Sequence, residues 1–79
     1  MSILAFVMIN VKVGTDRETV VKLRALKEVK NCWEVYAVAD VVCIVEAETM
    51  AELNEVVNSE IRQIGGVTST NTMIAERFF

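Results

Sequence analysis

The sequence predicts an α+β fold in which two helices cover one face of a four-stranded antiparallel sheet. The segments follow one another in the order β-α-β-β-α-β. A Thr-x-x-Glu capping box opens each helical segment, Thr15 with Glu18 and Thr49 with Glu52. Right-handed crossovers place both helices on the same side of the sheet. We therefore predict the split βαβ arrangement of a ferredoxin-like domain.

The first predicted strand is residues 3–13, "ILAFVMINVKV", which is rich in Val and Ile and ends before Gly14. Its odd positions are all apolar. Leu4, Phe6 and Met8 are apolar as well, so both faces of the strand need cover. The helices cover one face, and we expect a second copy of the chain to cover the other, sheet against sheet.

The first predicted helix begins at Thr15 and runs to about Glu28. Its apolar stripe consists of Val20, Leu23 and Leu26, together with Val21 and Ala25. Residues 32–38 and 41–48 follow as an antiparallel pair of strands, with the turn somewhere in 37–40.

The second predicted helix begins at the Thr49 cap and ends at Gly65 and Gly66. Five apolar residues at helical spacing form its buried stripe: Leu53, Val56, Val57, Ile61 and Ile64. Residues 67–75, "VTSTNTMIA", close the domain as the fourth strand.

Length and composition indicate a single domain that assembles. A chain of 79 residues buries only about 60 to 65% of its unfolded surface when it folds. Hydrophobic residues make up 53% of this chain, and its mean hydropathy is +0.40. So small a domain cannot hide that much apolar surface alone, so we expect an obligate oligomer.

The charge pattern excludes several classes of partner. The net charge is −3, and the eight Lys and Arg residues are scattered, so we expect no direct nucleic-acid binding. The longest unbroken apolar stretch, Ile3 to Ile9, is too short for a membrane span or a secretory signal. We expect a cytoplasmic protein.

Few residues in the chain suit catalysis or metal binding. There is no His, no phosphate loop and no nucleophile beside an obvious base, and Cys32 and Cys43 fit no zinc pattern. We expect no enzyme, no cofactor and no metal, with Trp33 and Tyr36 as core or interface aromatics. A hairpin would place the two cysteines diagonally across neighbouring strands; reduced thiols are favoured, and a disulfide stays conceivable.

A carboxylate and a hydroxyl-rich strand are the features that a plain core does not explain. Asp40 is the one charged residue near the middle of the apolar run "VYAVADVVCIV". Thr68, Thr70 and Thr72 alternate along the last strand, so their hydroxyls share a side. Together these groups suit a small zwitterion. The alternative is that Asp40 caps backbone N–H groups in a turn and the threonines are ordinary strand formers.

Residues 29–67 and the strands that flank them resemble the RAM domain, the C-terminal effector domain of the Lrp/AsnC transcription regulators. The motifs are "YAVADVV", "IGGV" and "TNT", which fall on the family's hairpin turn, its helix end and its Thr-x-Thr strand. The resemblance implies dimers formed through the sheets, further assembled as octamers or decamers. It also implies amino-acid binding between dimers, near Ala37, Val38, Asp40, Thr68, Thr70 and Thr72.

The family's helix-turn-helix half is not in this sequence, which is similar to stand-alone RAM proteins, so we expect one domain over residues 1–79. Two residues depart from the pattern. Ala37 replaces the turn's usual Gly and Ala39 its usual aromatic, so the pocket has either widened or lost affinity. Transcriptional output then needs a partner, such as a full-length Lrp/AsnC regulator.

Amino-acid sensing in amino-acid metabolism is the function that we favour. Two alternatives stay open. One is a structural assembly module without ligand, and the other is a small cofactor-free enzyme of the dimeric α+β barrel type, which would use Tyr36 or Asp40 for proton transfer.

Overall fold

The computed structural model describes residues 2–36 and 39–75. Its strands are β1 (Ile3–Val11), β2 (Val29–Glu34), β3 (Val41–Ala47) and β4 (Val67–Ala75), and its helices are α1 (Asp16–Arg24) and α2 (Met50–Glu55). A π-helix, Val56–Ile61, continues α2. The strands form one antiparallel sheet in the order β2-β3-β1-β4. The predicted ferredoxin-like α+β fold is confirmed.

The core lies between the sheet and the two helices. Alternate residues of the two central strands point into it and are buried: Ala5, Val7 and Ile9 of β1, and Val41, Cys43, Val45 and Ala47 of β3. Leu23 of α1 meets them from above, as do Leu53, Val56, Val57 and Ile61 of the second helix. Alternate residues of the strands and the apolar residues at helical spacing therefore pack against each other in one core, as predicted.

The other side of the sheet has no helix over it. We call it the open face and define it by seven apolar residues: Leu4, Phe6, Met8, Trp33, Val42, Ile44 and Met73. The strand register places them on one side, with Phe6 between Ile44 and Met73 and Val42 between Met8 and Trp33. Trp33 is 48% exposed and Met73 is 46% exposed, and the other five residues are half-buried, so the described residues cover this apolar surface only in part.

Both predicted elements at the N-terminal end are too long. β1 ends at Val11 rather than Val13, because the Lys12 N–H turns to the Gly66 carbonyl and Val13 is fully exposed. α1 ends at Arg24 rather than near Glu28. The chain tightens there into i→i+3 hydrogen bonds, such as Leu26 N–H to Leu23 O, which close the helix and feed β2.

The two predicted capping boxes have different outcomes. Thr49 caps α2 as predicted, since its Oγ1 accepts from the Glu52 N–H at 3.1 Å. Thr15 does not cap α1: its Oγ1 instead donates to the Lys12 carbonyl at 2.7 Å. That bond closes the turn between β1 and α1, so the box with Glu18 is wrong.

The predicted buried stripe of α1 is wrong along one of its two edges. Leu23 is buried, and Val20 and Leu26 pack at the edge of the core. Thr19 is buried as well, whereas Val21 is 68% exposed. The nine-residue helix is short and turns its Thr19 side to the sheet, which a stripe read over fourteen positions did not show.

The hairpin strands are shifted from the prediction. β2 occupies residues 29–34 rather than 32–38, because Val29 already pairs with Val45. Val35 N–H donates to the Asp40 carbonyl at 2.9 Å and closes the hairpin. Two of the turn residues, Ala37 and Val38, lie outside the described residues.

The second helix ends before its two glycines. The π-helix stops at Ile61, and i→i+3 bonds from Ile64 and Val67 lead to β4. Gly66, with φ of +104°, lies in this turn rather than at the helix cap. Among the described residues, no helix is long and apolar enough to cross a membrane.

Candidate functional site

Asp40 forms hydrogen bonds that connect three strands at one end of the sheet. Its N–H donates to the Ile9 carbonyl at 3.0 Å, and its carbonyl accepts from the Val35 N–H. Its side chain also takes part, since Oδ2 accepts from the Val11 N–H at 2.9 Å. The half-buried carboxylate therefore satisfies a backbone donor where β1 leaves the regular ladder.

This contact is the one that the turn-residue interpretation of Asp40 predicts. It occupies one carboxylate oxygen and does not compensate the negative charge. Within residues 2–36 and 39–75, no Lys or Arg lies within ion-pair distance of Asp40. The ion pair among these residues joins Arg17 and Glu34 at 3.9 Å, at another place on the surface. The carboxylate thus keeps its capacity to attract a cation, and ligand binding by Asp40 stays a prediction.

Two of the three candidate threonines share a side of β4. Thr70 pairs with Ile9 and Thr72 pairs with Val7, so both side chains lie on the helix side of the sheet and are half-buried. Thr68 departs from the predicted alternation. The register shifts beside it, and its Oγ1 donates to the Asn10 carbonyl at 3.1 Å. A bulge at this point directs the Thr68 hydroxyl to the main chain of the neighbouring strand β1.

The structure does not bring Asp40 and the threonines into contact with each other. β3 and β4 flank β1 on opposite sides. Two strand spacings, about 10 Å, therefore separate the backbone of Asp40 from that of Thr70. The Asp40 carboxylate is bonded to the Val11 N–H, while Thr70 lies beside Ile9 on the far side of β1, so the two side chains are not direct neighbours within one protomer.

Two exposed apolar residues near these groups did not figure among the predicted site residues. Tyr36, at the start of the turn, is 100% exposed, so it is not a core aromatic. Ile74 pairs with Ala5 on the helix side, next to Thr72, and is 54% exposed. Its position two residues after Thr72 was the available signal. Ala39, by contrast, is buried.

The described residues offer few other means of chemistry. No three His, Cys, Asp or Glu side chains among them gather as a metal site. The two cysteines are free thiols. They are direct partners on β2 and β3 rather than diagonal neighbours, so the predicted diagonal placement is wrong.

Comparison with known proteins identifies the family of the chain. Residues 4–77 match the sequence profile of the Lrp/AsnC ligand binding domain. The chain belongs to the Lrp/AsnC family. No curated protein sequence matches it.

Solved structures of similar proteins have the same fold. FFRP-DM1 is 34% identical, with a TM-score of 0.90 over 94% of this chain and 99% of that one. Hypothetical protein PHS023 from Pyrococcus horikoshii is 34% identical, with a TM-score of 0.88 over 98% of this chain and 92% of that one. A transcriptional regulator from Neisseria meningitidis in complex with L-Met is 17% identical, with a TM-score of 0.87 over 96% of this chain and 51% of that one, which shows the fold alone.

The family match defines the type of site to expect. The RAM domain is the ligand-binding domain of transcription regulators, so this chain is an effector-binding regulatory module. The resemblance inferred from the hairpin turn, the helix end and the Thr-x-Thr strand is confirmed.

Proposed function

We propose that this RAM domain binds a free amino acid as its effector and couples binding to assembly, in the regulation of genes of amino-acid metabolism. The match of residues 4–77 to the Lrp/AsnC ligand binding domain carries the proposal. The L-Met complex of the Neisseria regulator supplies a ligand of this class on the same fold. The charge of Asp40, which no described cation compensates, suits an ammonium group.

The first level of assembly is a dimer through the open face. Phe6 and Trp33 lie on that face with no helix over them, although a chain this small depends on burying apolar surface. Two such faces packed together would form a second hydrophobic layer, with the helices outside. A two-fold axis through the contact makes the same patch serve both partners.

The effector then belongs at a seam between dimers. Thr70 and Thr72 lie on the helix side of β4, so a dimer through the open face leaves them accessible. Asp40 lies about 10 Å away across β1, so within one protomer the two groups are on opposite sides of that strand. A second copy that brings its own hairpin turn to β4 would complete the site and build an octamer or decamer. Ala37 and Val38, which lie outside the described residues, stay predicted contacts of the effector.

Effector binding at such a seam shifts the assembly equilibrium, because a ligand held only by the ring stabilises the ring. Output to DNA passes through a partner, which we propose is a full-length Lrp/AsnC regulator whose RAM half co-assembles with this chain. The scattered cations of this domain give it no surface of its own for nucleic acid. The cytoplasm, where free amino acids and DNA meet, is the proposed location.

One observation favours the structural alternative. The Asp40 carboxylate already bonds the Val11 N–H, which is what a turn residue without a ligand would do. A module that only assembles would need nothing more from Asp40.

Calorimetry and thermal shift against the full set of amino acids distinguish the two functions. An effector present at 100 times its Kd stabilises the folded assembly by about 2.7 kcal/mol. Asp40→Asn is the decisive variant, because the amide oxygen still accepts from Val11 while the charge is gone. We expect effector binding by Asp40→Asn to weaken about 10- to 100-fold with the fold retained.

Asp40→Ala serves as the matched control, since it removes both the charge and the acceptor. We expect it to lose binding and stability together. An Asp40→Asn protein that binds as tightly as the wild type, or a wild type that binds no amino acid, would leave the structural module as the function.

A further inference from the structure

The cysteines on β2 and β3 form a pair that the regulatory function does not use. Cys32 and Cys43 are Cα partners in the antiparallel register, so their side chains lie on the same side of the sheet, toward the helices. Both are free thiols, with Cys43 buried and Cys32 half-buried. Two thiols placed opposite each other can be joined as a disulfide when a disulfide reagent takes up the two electrons.

The hydrogen-bond pattern of the hairpin identifies the kind of pair. Val35 N–H donates to the Asp40 carbonyl, which is one of the two bonds of a hydrogen-bonded pair, while the Asp40 N–H goes to Ile9. Bonded and non-bonded pairs alternate along an antiparallel ladder. Counting back through Glu34–Val41 and Trp33–Val42 makes Cys32–Cys43 a non-hydrogen-bonded pair. Cα atoms of such pairs are about 4.5 Å apart, inside the range of about 4.4 to 6.8 Å that a disulfide spans.

Only one of the two sulfurs is accessible. Cys32 lines an open cavity of about 350 Å³ between α1 and β2, together with Val20, Arg24, Val29, Lys30 and Asn31. Cys43 is fully buried. Arg24 and Lys30 give the cavity two positive charges, and Glu34 lies close enough to oppose them at Cys32. A small anionic reagent is therefore favoured in the cavity, and it meets Cys32 first.

We propose that Cys32 is a site of thiol–disulfide exchange with small anionic disulfides such as glutathione disulfide. The exchange ends in a Cys32–Cys43 disulfide. The Cys32 thiolate attacks one sulfur of the reagent, forms a mixed disulfide and releases one glutathione thiolate. The Cys43 thiolate then attacks the Cys32 sulfur and releases the second. Two protein thiols are oxidised, and one glutathione disulfide is reduced to two thiols.

The bridge would tie the outer strand β2 to the central strand β3 and enclose the turn that carries Asp40. The reaction is slow at neutral pH, because burial raises the pKa of both thiols. The pKa of Cys32 lies above its ordinary value of 9.0, with Arg24 opposing and Glu34 reinforcing the shift, and the pKa of Cys43 is raised to about 12. The inference is independent of the effector, since it rests on the two thiols alone.

The test exposes the reduced 79-residue chain to glutathione disulfide at mildly alkaline pH and follows its intact mass and its non-reduced peptide map. We expect the protein to lose two hydrogens, with Cys32 linked to Cys43, and its Tm to rise by about 10 °C. Dithiothreitol should reverse both changes. Cys43→Ala should stop at the mixed disulfide, and Cys32→Ser should not react.

Arg24→Gln separates the cavity from simple thiol chemistry. We expect it to slow the first step several-fold more with glutathione disulfide than with uncharged hydroxyethyl disulfide, because loss of Arg24 raises the pKa of Cys32 for both reagents and removes the attraction for the charged one only. A wild type that keeps both thiols, that stops at a mixed disulfide, or that forms only disulfides between protomers would overturn the proposal. None of these results depends on whether an amino acid binds.

Discussion

Among the described residues, one buried polar side-chain atom has no hydrogen-bond partner, and it belongs to Thr19. Its Oγ1 lies inside the contact between α1 and the sheet, where the residue is fully buried. A buried hydroxyl without a partner costs free energy relative to an apolar group of the same shape. Thr19 is therefore a place where a single substitution should improve the fold.

We expect Thr19→Val to raise the free energy of unfolding by about 1 kcal/mol, since Val keeps the β-branched shape and removes the unpaired hydroxyl. Urea denaturation measures the change. Thr19→Ser is the matched control: it keeps the hydroxyl, loses the methyl group and should destabilise by about 1 kcal/mol. A less stable Thr19→Val protein would mean that the hydroxyl has a partner.

Cys43 couples stability to alkaline pH. Burial, reinforced by the neighbouring Cys32, raises the pKa of the Cys43 thiol from 9.0 to about 12 in the folded protein. The unfolded chain ionises this thiol near pH 9 and the folded chain does not. The stabilising contribution is therefore complete below pH 9 and is lost as the pH rises from 9 toward 12.

Under reducing conditions we expect this group to reduce the free energy of unfolding by about 1.4 kcal/mol for each pH unit above 9. The difference between wild type and Cys43→Ala, measured by urea denaturation at pH 8 and at pH 10, isolates the contribution from that of lysines and Tyr36. Parallel pH profiles of the two proteins would contradict the assignment.

At the scale of elements, the turns that connect strands to helices determine how these elements pack. The Gly66 carbonyl oxygen accepts a hydrogen bond from the Lys12 N–H, and Gly66 lies against the Thr15 side chain. Its φ is +104°, and a Cβ built on it would lie 2.8 Å from Thr15 Oγ1. Gly14 also has positive φ, at +86°, but a Cβ there would meet nothing within 4 Å.

The two glycines form a matched pair. Gly14→Ala should cost about 1 kcal/mol, because only the backbone conformation is unfavourable. Gly66→Ala should cost about 2 to 4 kcal/mol, because the steric clash with Thr15 adds to that strain. Chemical denaturation compares them, and equal losses at the two positions would show that the Thr15 contact yields easily.

At the scale of the whole molecule, the open face makes the fold incomplete. One layer of core lies between the sheet and the helices, while Phe6 in the centre of the other face lies between Ile44 and Met73 without cover from any helix. Burying such a patch in a second copy gives back the hydrophobic free energy that a small domain lacks.

We expect Phe6→Glu to break the dimer, because it would place a charge in the centre of each buried face. Sizing by light scattering at several concentrations would show the loss as a monomer or as aggregation with a lower Tm. Val21→Glu is the matched control, since Val21 is 68% exposed on α1 and the same change there should leave assembly intact. A Phe6→Glu protein of unchanged mass would place the interface elsewhere.

The sequence by itself determined the fold class, the strand and helix order and the core positions of β1 and of the second helix, because side-chain alternation in a strand and the stripe of a helix follow directly from backbone geometry. It did not determine those of α1, where Thr19 is buried and Val21 is exposed. It also singled out Asp40 and the threonines as unusual. Local patterns did not settle element ends, since tertiary hydrogen bonds such as Lys12 to Gly66 compete with them. Thr15 lost its cap in the same way, to a turn.

The tertiary structure alone decided which groups meet. It paired Cys32 with Cys43 through the register, turned Thr68 to the Asn10 carbonyl through a bulge, and set Asp40 on Val11 with a whole strand between it and Thr70. Residue spacing along the chain carries no information on such pairings, because they depend on how distant strands align. The register of four strands, which long-range packing fixes, therefore determines what these side chains can do.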